Sequence, residues 1–93
     1  MKAIWNNKVI AESDETVSIE GNEYFPPESI NCEYLQDSSS ETFCPWKGKA
    51  GYYNIRVEGQ INRDAAWVYK DPKKAAEKIK NYLAFWNGVE VTE

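Results

Sequence analysis

Residues that favour tight turns recur along this chain so often that only short elements fit between them. Asn6-Asn7, Gly21-Asn22, Pro26-Pro27, Glu58-Gly59, Asp71-Pro72 and Asn87-Gly88 divide it into brief runs. Asn and Gly accept the positive φ of two-residue hairpin turns, and Pro cannot donate to a strand ladder. Ala3-Ile4-Trp5 and Val9-Ile10-Ala11 flank Asn6-Asn7-Lys8 and predict a first hairpin. Thr16-Val17-Ser18-Ile19 alternates polar and apolar, and Glu20-Gly21-Asn22 turns it into Tyr24-Phe25, a second hairpin. Pro26-Pro27 ends that strand. The chain restarts at Ile30 with Cys32, Tyr34 and Leu35, and Gln36 to Glu41, with Ser38-Ser39-Ser40 inside it, reads as a solvated loop.

Further on, Tyr53, Ile55 and Val57 alternate with Tyr52, Asn54 and Arg56, the period-2 signature of a strand with one buried face. Glu58-Gly59-Gln60 reverses it, and Ala65-Ala66-Trp67-Val68-Tyr69 makes a further strand. Asp71-Pro72 predicts a helix start, with Asp as N-cap and Pro at the first helical position. Ala75, Ile79, Tyr82 and Leu83 then form an apolar stripe at helical spacing, with Lys73, Lys74, Lys78 and Lys80 toward water. Asn87-Gly88, between Leu83 to Trp86 and Val89 to Val91, predicts a closing hairpin. The expected fold is mainly β within the α+β class: roughly eight short strands in small antiparallel sheets and one helix of about eleven residues in the C-terminal half. At 93 residues, positions 1–93 form a single domain.

Composition excludes several kinds of chemistry. The chain has no histidine, so an imidazole base, ligand or near-neutral switch is unavailable to it. Eleven basic against fifteen acidic residues give a net charge of −4, which argues against a nucleic-acid partner, and the lysine face of the helix reads as solvated. The longest apolar run, Leu83-Ala84-Phe85-Trp86, is far short of the roughly 20 residues of a membrane span. Cys32 and Cys44 stand alone, and no apolar run of signal-peptide type opens the chain, so a reducing cytoplasmic setting is expected.

The densest segment is Thr42 to Tyr53, which holds Cys44, Trp46, Lys47, Gly48, Lys49, Gly51, Tyr52 and Tyr53. Cys44 is a candidate nucleophile if Lys47 and Lys49 favour its thiolate; the plainer alternative is a buried structural thiol. Lys47 beside Gly48 suits an anionic group met by an ammonium and a backbone amide, although the spacing is not that of a P-loop, and a solvated turn lysine is the alternative. Tyr24, Phe25, Trp46, Tyr52, Trp67, Tyr69 and Trp86 supply more indole and phenol than a small core needs, and such groups can line a site that stacks a planar ligand or simply fill the core between sheets. Arg56 and Asp64 lie on segments joined by the Glu58-Gly59 turn and are a candidate ion pair. Glu12, Asp14, Glu15, Glu58 and Asp71 fall at turns and strand ends, a poor basis for a metal site.

Tyr24-Phe25-Pro26-Pro27, Cys44-Pro45-Trp46-Lys47-Gly48-Lys49-Ala50-Gly51-Tyr52-Tyr53, Asp64-Ala65-Ala66-Trp67-Val68-Tyr69 and Ala84-Phe85-Trp86 form a string that resembles the bacterial family called domain of unknown function 427. The resemblance spans nearly the whole chain. It implies a small β-rich domain similar to the β-tent group, in which two antiparallel sheets meet at an angle, and it brings a nucleotidyltransferase-like label. Members often carry His near the Cys-Pro motif, where this chain has Ser40 and Phe43. β-Tent relatives hold zinc on paired Cys-x-x-Cys motifs, which Cys32 and Cys44 do not reproduce, so neither a metal nor a cofactor is expected. The leading expectation is a domain that binds a small planar or anionic ligand through Tyr24, Phe25, Cys44, Trp46, Lys47, Gly48, Tyr52, Asp64, Trp67 and Tyr69. The alternatives are a nucleotidyltransferase-like or Cys44-dependent enzyme, and a protein-interaction domain.

Overall fold

The computed structural model describes all residues, 1–93. It is mainly β, with nine strands: β1 (Lys2–Trp5), β2 (Lys8–Glu12), β3 (Val17–Ile19), β4 (Asn22–Tyr24), β5 (Leu35–Cys44), β6 (Gly48–Val57), β7 (Gln60–Val68), β8 (Leu83–Phe85) and β9 (Glu90–Thr92). They form three antiparallel sheets, in the orders β2-β1-β9, β3-β4 and β5-β6-β7-β8.

The turn residues act as their chemistry predicts. Asn6 and Asn7 take φ of 51° and 63°, Glu20 and Gly21 take 54° and 81°, Glu58 and Gly59 take 51° and 81°, and Asn87 and Gly88 take 59° and 91°. Positive φ at both central residues is the type I′ pattern, whose twist matches that of the flanking strands. The second turn therefore sits on Glu20-Gly21, one position earlier than Gly21-Asn22. The last turn is present but joins no hairpin: β8 pairs with β7 and β9 pairs with β1, so Asn87-Gly88 carries the chain from one sheet to another.

Two expectations about elements are overturned, and one strand proves longer than expected. Gln36 to Glu41 is strand rather than loop: it lies within β5, which pairs with β6 and slips register between Asp37 and Glu41. The polar composition that suggested a loop belongs to this bulge at the sheet edge. The strand expected over Ala65 to Tyr69 is present as β7, which begins earlier, at Gln60, directly after the turn, and ends at Val68. The helix after Asp71-Pro72 is only a 3-10 segment, Lys74–Ile79, with no side-chain cap and a kink at Ala76. The Lys73 N–H donates to the Lys47 carbonyl at 2.9 Å, holding residue 73 extended and delaying the helical start. The tighter period of three buries Ala76 and Ile79, while Ala75 is exposed.

Two apolar clusters form on opposite faces of the four-stranded sheet. The larger joins Ala3, Ile10 and Ala11 of the first sheet to Phe25, Ile55, Val57, Ala66, Val68, Leu83 and Phe85. The smaller contains Tyr24, Ala50, Tyr69, Ala76, Ile79 and Ala84, with Trp67, Tyr52, Val17 and Ile19 against it. Strand alternation makes this division, since Trp67 and Ala84 form a cross-strand pair on one face, and Ala66 with Phe85 on the other. The β3–β4 hairpin is tied to the sheet edge where Phe25 and Leu83 exchange backbone hydrogen bonds of 2.7 and 3.0 Å. That attachment lays the hairpin over the smaller cluster.

Candidate functional site

Pro45-Trp46-Lys47 turns the chain between β5 and β6, and the turn is braced from outside. The Lys73 ammonium donates to the Pro45 carbonyl at 2.6 Å. Gly48 has φ 107°, which strains any side chain, and a Cβ there would touch the Lys73 backbone at 3.4 Å, about ordinary contact distance. The bracing turns Lys47 inward. Only 6% of it is exposed, against the expectation of a turn lysine in water.

A buried ammonium needs partners. Glu20, at the tip of the β3–β4 turn, accepts a hydrogen bond from Lys47 Nζ and forms an ion pair with it. Nζ also lies 4.9 Å from the centroid of the Trp46 ring and 5.7 Å from that of Tyr69, within cation–π range. Burial works against the charge on Lys47, but the Glu20 hydrogen bond and the nearby Tyr24, Tyr69 and Glu20 outweigh it, and the pKa is raised. The Lys47 hydrogen bond holds the Glu20 carboxyl below its ordinary value. Burial raises the Tyr69 phenol against the opposing pull of Lys47.

Beside Lys47 is a cavity of about 250 Å³ lined by Asn22, Tyr24, Lys47, Tyr52, Trp67, Tyr69 and Trp86. Trp67 and Tyr52 are cross-strand neighbours on β7 and β6, and Tyr69 follows two residues along on the same face. The Trp67 Nε1–H donates to the Tyr24 hydroxyl at 3.2 Å, with the rings edge-to-face at 6.2 Å. Trp86 meets Trp67 edge-to-face at 6.5 Å and donates its Nε1–H to the Asp64 carbonyl at 2.6 Å. The indoles are thus locked by their polar edges, leaving π faces and rims for contact. Trp86 is 52% exposed.

Of the sequence candidates, Tyr24, Lys47, Tyr52, Trp67 and Tyr69 come together around this cavity. The others are placed elsewhere. Phe25 is fully buried in the larger cluster, edge-to-face with Phe85. Cys44 is half-buried against the smaller cluster, and Trp46 and Gly48 support Lys47 from outside the cavity lining. Asp64 does not pair with Arg56, whose strand partner is Ile61. It accepts from Ser38 and, at 2.7 Å, from Ser40, and these hydroxyls lower its pKa. Asp64 lies in a separate, wholly polar recess with Gln36, Asn54 and Arg63. Asn22 and Glu20 carried no functional signal in the sequence, where both read as turn residues.

A wider hollow of about 600 Å³ lies along Asp37, Glu41, Lys49, Tyr52, Lys70 and Asp71, but its charges are of both signs, and Lys49 already pairs with Glu41 at 3.5 Å. Nowhere do three Cys, Asp or Glu side chains gather as metal ligands would. No helix is long and apolar enough to cross a membrane. No curated protein matches the chain. The family model described as a domain of unknown function, DUF427, matches residues 1–93, and the chain therefore belongs to that family.

Proposed function

We propose that this protein is a binding domain for a small planar molecule, taken into the cleft between Trp67, Trp86 and the tyrosines with Lys47 at its side. The observation that carries this reading is the convergence of five aromatic side chains on a cavity of about 250 Å³ beside a buried cation. Tyr24 and Tyr69 belong to the smaller core cluster, while the less buried Tyr52, Trp67 and Trp86 border the cavity beside them. Trp86 keeps half its surface in water, as a mouth residue of an open site does. Unpaired Cys32 and Cys44 suit a reducing cytoplasmic setting for this activity.

An amide NMR titration with a panel of planar compounds, nucleotides with and without magnesium among them, tests the proposal. Shifts gathered at Asn22, Lys47, Gly48, Trp67 and Trp86 are expected from at least one ring compound and are expected to disappear in Trp67→Ala. Shifts confined to the Ser38–Asp64 recess, or none at millimolar ligand, would contradict it. Magnesium-dependent nucleotide shifts at the cleft would redirect the reading toward a transferase.

A further inference from the structure

Resting on that reading of the cleft, we propose that its ligand carries a single carboxylate on the planar ring, and that this carboxylate displaces Glu20 from the Lys47 ammonium. Three features lead there. First, the Lys47 ammonium is the one charged group of the lining, and the Asn22 amide and the Tyr52 and Tyr69 hydroxyls beside it can also donate. No carboxylate lies among the lining residues, so the only charge there is the Lys47 ammonium, which favours an anionic group.

Second, the acid that now satisfies Lys47 is the more loosely held partner. The Lys47 side chain is 8% exposed, whereas that of Glu20 is 56% exposed at the tip of a two-residue turn. Released, Glu20 swings into water and leaves no buried charge behind, while Lys47 exchanges one carboxylate for another. Glu20 is thus an internal stand-in that shows which group the ammonium accepts.

Third, the site discriminates among charge types. A cationic ring would meet Lys47, which already occupies the Tyr69 face as its cation. A dianionic phosphate would bring two negative charges to a lining whose only charged residue is Lys47. A monocarboxylate matches the single positive charge, and its ring occupies the aromatic cavity beside Lys47, which Glu20 does not line.

The test uses 2-naphthoate, 2-naphthamide and 2-naphthylmethylammonium, titrated by calorimetry and amide NMR into the full chain and its Glu20→Gln and Lys47→Met variants. Naphthoate is expected to bind at least about tenfold more tightly than the amide, the scale of a hydrogen bond to a charged group, with the ammonium compound weakest. Glu20→Gln removes the competitor and is expected to tighten naphthoate about fivefold while leaving naphthamide unchanged. Lys47→Met is expected to erase the preference for naphthoate. Should that variant fail to fold, the surface substitution Glu20→Gln decides alone. Equal binding of naphthoate and naphthamide, or no tightening in Glu20→Gln, overturns the carboxylate proposal while leaving the planar-ligand reading intact. Binding by none of the three overturns both.

Discussion

Lys47 owes its position to residues far from it in sequence. Its ammonium meets Glu20, 27 residues earlier, and its carbonyl is held by Lys73, so neither a turn signal nor a charge count places it indoors. The local motif marked Lys47 and Gly48 as unusual, but their burial depends on Lys73, which braces the turn, and on Glu20 of the hairpin, which meets the ammonium. Gly48→Ala forces a side chain onto φ 107° against the Lys73 backbone, and the expected cost is at least about 1 kcal/mol in urea unfolding, with Lys47 and Trp46 resonances displaced. Acid stability follows from carboxyls held below their ordinary values: Glu20 by Lys47, Asp64 by Ser38 and Ser40, and Glu23 by Ser18 and Thr16. A depressed folded-state pKa gives stability that is whole above the unfolded value and lost as pH falls through the folded one. Urea midpoints should hold from pH 7 to about pH 5 and decline below about pH 4, and Asp64→Asn should make that decline shallower. Lys47, with its pKa raised, contributes fully below 10.5 and loses that contribution only in stronger alkali.

At the scale of elements, backbone chemistry was the most legible part of the sequence. Asn6-Asn7, Glu58-Gly59 and Asn87-Gly88 announced turns because few other residues accept positive φ at both central positions. In the Glu58-Gly59 turn, and in the Glu20-Gly21 turn of the second hairpin, the first position is held by Glu, which lacks the local hydrogen bonding that eases Asn into this conformation. Glu58→Asn should therefore raise stability by about 0.5–1 kcal/mol in urea unfolding, its exposed contact with Lys8 at 4.0 Å contributing little. What turn chemistry does not reveal is which strands pair. Asn87-Gly88 looks the same whether it closes a hairpin or bridges two sheets. Strand β5 escaped notice because its apolar alternation fails at Ser38-Ser39-Ser40, where the register slips and the hydroxyls bond Asp64 across the sheet. The 3-10 segment resembled an α-helix because Ala75 and Ile79 stand four apart, and only tertiary contact at Lys73 selects the shorter period.

In the whole molecule, one four-stranded sheet serves two purposes. One face packs on the first sheet to make the main core, and the other carries Tyr52, Trp67 and Tyr69 beneath a small hairpin. On the proposed function, stability and recognition fall to opposite faces of this sheet and are expected to be separable by mutation. Ile10→Ala, at a fully buried position, should cost about 2–5 kcal/mol without altering the cleft's preferences. Trp86→Ala, half exposed, should cost less than about 1 kcal/mol yet weaken ring binding by at least about tenfold, the scale of a base stacked on an aromatic side chain. The membership of the cleft was largely legible, because its aromatics exceeded what a small core requires. Its separation from Phe25 and Asp64 was not, because neighbouring residues on a strand face opposite ways and only the sheet partners decide which face encloses a cavity. The most direct measurement is the indole N–H spectrum of the protein, which has four tryptophans, during titration with 2-naphthoate. The signals of Trp67 and Trp86, whose N–H groups are bonded to Tyr24 and Asp64, should move together while that of Trp5 stays fixed. Equal movement of all four, or stationary Trp67 and Trp86 signals at saturation, would contradict a ligand seated between them.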